Sequence, residues 1–181
     1  EGRHNGRTVN RTERVQLSSS TFDYARAFSR NLGWVSEAEQ QTLRRARVAI
    51  AGLGGVGGVH LLTLARLGIG GFNIADFDRF EVHNFNRQAG AFMSSLGRPK
   101  ALVMAQMAQD VNPQLEIRSF QEGVTAENVG DFLRDADVYV DGIDFFALQA
   151  RRLLFAACAE RGIPAITAAP LGMGVSLLYF K

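Results

Sequence analysis

The sequence predicts an α/β fold: a doubly wound, mostly parallel sheet with helices on both faces. Three observations lead there. Strand-like and helix-like segments alternate five times between residues 36 and 180, and such alternation builds parallel strands joined by crossover helices. The first strand, at 48–51, is a short continuous apolar run that ends in glycines, the form of a strand buried on both faces. Glycine, proline and asparagine then punctuate the chain where each helix or strand should stop.

Taken in order, Ser36-Glu-Ala-Glu39 has the form of a capping box and opens a helix to about Leu43. Residues 56–67 have the length and composition of a helix, and Gly68 to Gly71 stop it before a second strand at 72–75. Pro99 suits the first turn of a helix running to about Val111, closed by Asn112-Pro113. Residues 115–119 alternate like a strand near a sheet edge. Thr125 is placed to cap a helix reaching Arg134, followed by a strand at 138–140. A helix over 146–161 leads through Gly162-Ile-Pro to a strand at 165–167, and 174–180 reads as a last strand.

With 181 residues, 46% hydrophobic and 21% charged, the chain has a globular composition with core enough for one ordinary domain. No apolar run approaches the roughly 20 residues of a membrane-spanning helix. One cysteine excludes a disulfide or a cysteine-based zinc cluster within this chain, and a reducing compartment, the cytoplasm, is the simplest location. Twenty basic against 18 acidic residues leave a net charge of only +2. Four of the arginines (Arg3, Arg7, Arg11, Arg14) fall in the first 14 residues, and no basic face with interleaved aromatics is visible. A nucleic-acid partner is therefore not expected.

Residues 1–20 are polar, without hydrophobic period or the apolar core of a signal peptide, and are expected to form a poorly ordered tail. A helical lead-in at 21–46 and a main domain at 47–181 follow. The chain starts at Glu1 and stops inside the last strand, so it is expected to be the front part of a longer protein whose domain is incomplete at its C-terminus.

Ligands of such sheets sit beyond the carboxyl ends of the strands, at the point where strand order reverses. That directs attention to 52–58, 76–88 and 141–146. Gly52, Gly54 and Gly57 give G-x-G-x-x-G spacing directly after a strand and before a helix. This is the Rossmann-like arrangement, in which phosphate approaches backbone N–H groups at the helix start. Asp76, 24 residues after Gly52 and at the end of the second strand, is placed to accept ribose hydroxyls.

The second segment, Asp76-Phe-Asp-Arg-Phe-Glu-Val-His-Asn-Phe-Asn-Arg-Gln88, is a long polar loop. Its Arg87 offers a fork of donors suited to a phosphate chain. The only lysines are Lys100 and Lys181. Lys100 opposes the helix dipole where it stands, unless a polyphosphate lies there; otherwise it is a solvated surface residue. In the third segment, Asp141 and Asp144 put two carboxylates beyond a strand end, where one can hold Mg²⁺ or both serve turn chemistry.

The set Gly52-x-Gly54-Gly55-x-Gly57, Asp76-x-Asp78, Asn84-x-Asn86-Arg87-Gln88, Lys100 and Asp144 resembles the ThiF/MoeB/HesA family, the adenylation domain shared with ubiquitin-activating enzymes. The resemblance runs from about Phe28 to Phe180. It implies that the glycine loop, including Gly55, binds ATP and that Asp76 holds the ribose, with Asp78 and Gln88 among the nucleotide-binding residues. It implies triphosphate contacts from Asn84, Arg87 and Lys100, catalysis by Arg87 and Lys100, and Mg²⁺ on Asp144. Arg30, in Phe28-Ser-Arg-Asn31, falls where the family carries an arginine that reaches into a partner subunit's site. A homodimer with Arg30 acting in trans is thereby implied.

The activity implied is ATP- and Mg²⁺-dependent adenylation of a carboxylate. The acceptor would be the C-terminus of a ubiquitin-like or sulfur-carrier protein, a peptide, or a small acid. Two other readings stay open: an NAD-dependent oxidoreductase on the same glycine loop, and an inactive nucleotide-binding scaffold. Phe145 stands where the family commonly has asparagine, and Arg151 and Arg152 come slightly later than usual. No Cys-x-x-Cys pair is present; Cys158, on an apolar helical stretch, reads as a packing residue. His83 reads as a capping or hydrogen-bonding group, His60 has no metal partner in sequence, and Trp34 reads as core or interface.

Overall fold

A computed structural model describes residues 22–181; the tail expected at 1–20 lies outside the described residues. Six strands form one sheet in the order β3-β2-β1-β4-β5-β6. They are β1 (Arg47–Ala51), β2 (Gly71–Ala75), β3 (Glu116–Phe120), β4 (Val138–Asp141), β5 (Ala165–Leu171) and β6 (Gly174–Phe180). The first five run parallel, and β6 returns antiparallel to β5. Strand order reverses between β1 and β4, so the chain after both strands opens onto one crevice.

Helices α1 (Tyr24–Ala27) and α2 (Glu37–Arg45) precede the sheet. Ser36 and Glu39 close the expected capping box, with Ser36 N donating to Glu39 Oε2 at 2.7 Å. Helices α3 (Gly57–Leu67) and α4 (Lys100–Val111) cover one face, and α5 (Val129–Phe132) and α6 (Leu148–Arg161) the other. The alternation of β1 explains the two layers. Val48 and Ile50 meet Leu61 of α3 and Met104 of α4, while Ala49 and Ala51 join the cluster of Phe132, Leu154 and Cys158. Burial pushes the Cys158 thiol up to about 11, which makes it an inert packing group.

Three expectations need correction. The helix after Thr125 is only Val129–Phe132, because Asn128 Oδ1 accepts from Thr125 N and its amide also bonds Gly123 O. That asparagine forms a turn where helix was expected. The strand at 165–167 continues to Leu171, passing the end of β4 by four residues, and pairs with β6 throughout. Pro170 is tolerated there because β4 no longer runs alongside. Trp34, read as core or interface, is 93% exposed, which excludes the core reading.

The lead-in is fastened to the C-terminal end of α3. Tyr24 Oη donates to Gly68 O at 2.5 Å, and Asn31 Nδ2 and Gln40 Nε2 both donate to Leu67 O at 3.0 Å. These bonds satisfy carbonyls that a helix end leaves open.

Candidate functional site

The carboxyl ends of the strands surround a cleft of about 1000 Å³. Its floor is the glycine loop between β1 and α3. Gly52 has φ +81°, and a Cβ there would stand 2.5 Å from the carbonyl carbon of Gly142. A side chain at Gly57 would collide with Gly52 O. Two strand ends and the start of α3 therefore meet backbone to backbone, which only glycine permits. Gly142, which follows β4, completes this contact; the sequence signal was a second glycine directly after a strand end.

Asp76 builds the loop from the side of β2. Its Oδ2 accepts from Leu53 N at 2.7 Å and its Oδ1 from Asp78 N at 2.8 Å. Burial raises its carboxyl above the ordinary aspartate range, against the lowering effect of those two amides and of nearby Lys100. Each oxygen keeps acceptor capacity beyond the bond described.

The polar loop after β2 folds over the glycine loop. Asn84 is buried, and its Oδ1 accepts from Glu81 N at 2.9 Å. Arg87 N and Gln88 N both donate to Asn84 O, so one asparagine sets the turn that presents the next four residues. The Arg87 side chain lies along Gly55, where an added Cβ would be 3.5 Å from Arg87 Cγ. Its Nη1 donates to His83 O at 2.9 Å and to Asn86 Oδ1 at 3.1 Å, and the head stays exposed. Gln88 lies beside Gly54, and its buried Oε1 has no partner among the described residues. The His83 ring is exposed, 3.4 Å from the Glu81 carboxylate.

Lys100 is not the solvated residue that one alternative expected. It is 5% exposed, and its Nζ donates to Asp78 Oδ2 at 2.9 Å, while Asp78 O accepts from Lys100 N. A buried ammonium at a helix start is unfavourable by dipole and by solvation. Asp78 offsets part of that cost.

Across the cleft, Asp144 is exposed; its Oδ1 accepts from Phe146 N at 2.9 Å, and Oδ2 carries no hydrogen bond among the described residues. Asp141 differs: it is buried and engaged by Arg151 Nε at 2.8 Å. Of the two carboxylates, only Asp144 is free for a ligand. Among the described residues, no three His, Cys, Asp or Glu side chains converge as a metal cluster, His60 included. The donor set fits Mg²⁺ only as one carboxylate completed by phosphate and water oxygens.

The structure thus gathers Gly52, Gly54, Gly55, Asp76, Asp78, Asn84, Arg87, Gln88, Lys100 and Asp144 around one cleft, with Gly57 packed beneath its floor. It does not bring Arg30 there. Asn31 beside it is bonded to the C-terminal end of α3, whose eleven residues span about 16 Å from the glycine loop. Arg30 has no polar side-chain partner among the described residues. The far wall of the cleft is apolar: Phe145 and Phe146, at 61% and 85% exposure, with Pro170 and Leu171 from the overshoot of β5, which sequence reading missed.

Fold and cleft define a Rossmann-like α/β domain with a glycine-loop crevice lined by paired and free cations. Comparison with known proteins agrees: residues 28–180 match the ThiF family profile, and the chain belongs to that family. It is 35% identical over 139 residues to the Sulfur carrier protein ThiS adenylyltransferase of Escherichia coli (strain K12), covering 77% of this chain and 55% of that one. It is 33% identical over 141 residues to the tRNA threonylcarbamoyladenosine dehydratase of Bacillus subtilis (strain 168), with the same coverage. The chain therefore spans about half the length of the curated relatives it matches. The crystal structure of the E. coli tRNA N6-threonylcarbamoyladenosine dehydratase in complex with ATP superposes with a TM-score of 0.78 at 29% identity, covering 90% of this chain and 65% of that one.

Proposed function

We propose that this chain carries the ATP site of an enzyme that adenylates a carboxylate. The observation that supports this most is the meeting of Arg87, Lys100 and Asp144 at one glycine-loop cleft. A dinucleotide's diphosphate carries less charge than a triphosphate and is already met by the glycine-loop amides, so the oxidoreductase reading gives Arg87, Lys100 and Asp144 together less to do. A relative's structure holding ATP supports the choice of nucleotide.

The chemistry follows from charge. A carboxylate is a poor electrophile because its leaving group would be oxide. An acceptor oxygen attacks the α-phosphorus of ATP, the bond to the bridging oxygen breaks, and pyrophosphate leaves. The product is an acyl-adenylate, from which AMP later departs. No proton has to move, so positioning and electrostatics carry the step. The glycine-loop amides face the phosphates, Asp76 accepts from the ribose, and Asn84 and Gln88 shape the phosphate wall. Arg87 and Lys100 balance charge that builds on the departing pyrophosphate. Asp144 holds Mg²⁺, which when bound neutralises phosphate charge. Removing one such charged group should cost roughly 10²–10³ in rate.

A sulfur-carrier C-terminus is favoured as acceptor by the relative named for one. Relatives named for a tRNA nucleoside bring RNA-borne carboxylates into scope, so the expectation against nucleic acid is not carried forward. Because Arg30 stands at the far end of α3 from its own cleft, it would serve a second copy, in a homodimer. We place the enzyme in the cytoplasm, a compartment that keeps a thiol such as Cys158 reduced.

Calorimetric titration tests the reading with ATP plus Mg²⁺, and separately NAD, on the wild type, Arg87→Ala and Asp144→Ala. Binding of ATP with Mg²⁺, at least tenfold weaker in both variants, is expected. Binding of NAD without ATP would overturn it.

A further inference from the structure

The loop between β4 and α6 carries Asp144, yet its backbone is neither helix nor strand from Gly142 to Ala147. Beside its own turn bonds, one side chain from the first turns of α6 ties three of its carbonyls together. Arg151 Nε donates to Asp141 Oδ2 at 2.8 Å. Its Nη2 donates to Ile143 O at 2.8 Å and Asp144 O at 3.4 Å, and its Nη1 to Phe145 O at 3.2 Å. Three successive loop carbonyls therefore converge on one guanidinium.

Asp141 is itself locked. Its side chain is 1% exposed, and its Oδ1 accepts from Ile143 N at 3.1 Å and Tyr139 Oη at 3.3 Å. A desolvated carboxylate held by three hydrogen bonds, two on one oxygen and the guanidinium on the other, orients that guanidinium, and the planar fork then orients the carbonyls. Asp144, directly between two of those carbonyls' residues, lines the cleft with one oxygen on Phe146 N and the other without a hydrogen bond among the described residues.

We propose that Arg151, oriented by Asp141, is the positioning residue for Asp144: it sets the loop so that one carboxylate is preorganised for a divalent cation. This rests on the adenylation reading above. A site with a single protein carboxylate depends on that preorganisation more than a cluster does, because no second ligand from the chain corrects a misplaced first one. Lysine at 151 keeps the charge opposite Asp141 but cannot span three carbonyls, so it separates geometry from charge.

The test uses Arg151→Lys, Asp144→Asn and the wild type, read in two ways. The first is hydrogen exchange of 142–147. The second is the Mg²⁺ concentration that gives half of the thermal stabilisation by ATP, with AMP alone as the metal-independent control. Arg151→Lys should lose exchange protection in 143–146 while β4 and α6 keep theirs. It should need about tenfold or more Mg²⁺, as loss of an outer-shell partner does elsewhere, with AMP stabilisation within twofold of wild type. Asp144→Asn should lose the Mg²⁺ response with exchange little changed apart from Phe146. Wild-type exchange and Mg²⁺ requirement in Arg151→Lys would overturn the inference alone. So would a loss of AMP stabilisation as large as the Mg²⁺ effect, which would mark a merely structural role. A wild type that gains nothing from ATP with Mg²⁺ would overturn the adenylation reading and this inference with it.

Discussion

Lys100 and Asp78 form an ion pair in which the cation is buried and the carboxylate is half exposed, Nζ to Oδ2 at 2.9 Å. Lys100 N also donates to Asp78 O, so the pair ties the start of α4 to the loop after β2. This arrangement keeps a cation at the cleft wall in a place where burial alone would disfavour it.

Removing only the carboxylate should therefore be costly. Asp78→Ala leaves a buried ammonium without its partner, a loss of about 2 kcal/mol and a melting temperature lowered by about 4–8 °C. The double variant Asp78→Ala, Lys100→Met should recover part of that loss, because it removes the unpaired charge as well. Urea denaturation of the three proteins measures it. Equal stability of the single and double variants would mean that Lys100 finds water instead.

Gly142 should be as intolerant of a side chain as the loop glycines. A Cβ there would meet Gly52 O and stand 2.9 Å from Gly57 Cα, backbone that cannot yield. Gly142→Ala is expected to cost at least about 3 kcal/mol. Gly97→Ala is the comparison: φ is +74° but nothing lies within 4 Å, so only the left-handed penalty of about 1 kcal/mol applies. Thermal melts of the two variants decide whether close approach, rather than glycine conformation, is what the loop requires.

Asp76 gives a pH prediction whose sign follows from burial. Its carboxyl lies above the ordinary aspartate range, so the stability this group contributes is present below its unfolded value and lost as pH rises through the folded one. Asp76→Asn, which gives up one acceptor for a backbone amide, should be less stable than wild type by about 1–2 kcal/mol near pH 4. The gap should narrow toward pH 7, since only the wild type then carries a buried charge. Urea midpoints at the two pH values measure it. A gap that widens with pH would show that the bonds from Leu53 and Asp78 outweigh burial.

How much of this was legible beforehand differs by element. The strand–glycine–helix unit at 48–67 and the carboxylate at Asp76 are local patterns, and local patterns survive folding. The clustering of Arg87, Lys100 and Asp144 followed from the rule that parallel strands place their carboxyl ends together. The partners of Lys100 and Arg151 were not legible: Asp78 lies 22 residues away and Asp141 ten, and a sequence offers many carboxylates at such distances. The shortening of α5 turned on Asn128, whose side chain bonds back to Thr125 N and Gly123 O and holds a turn where helix was expected. The antiparallel return of β6 had a signal in Gly172, which has φ +61° at the first position of a two-residue hairpin loop. An apolar run alone does not tell the direction of its neighbour.

A crystal structure of this chain with ATP and Mg²⁺ decides whether the cleft is an adenylation site. The expected result is phosphates over the glycine loop, within hydrogen-bond reach of Arg87 and Lys100, and a cation bound to Asp144 Oδ2. A nucleotide whose phosphates lie away from Arg87 and Lys100, with Lys100 still closed on Asp78 and no cation at Asp144, would contradict it.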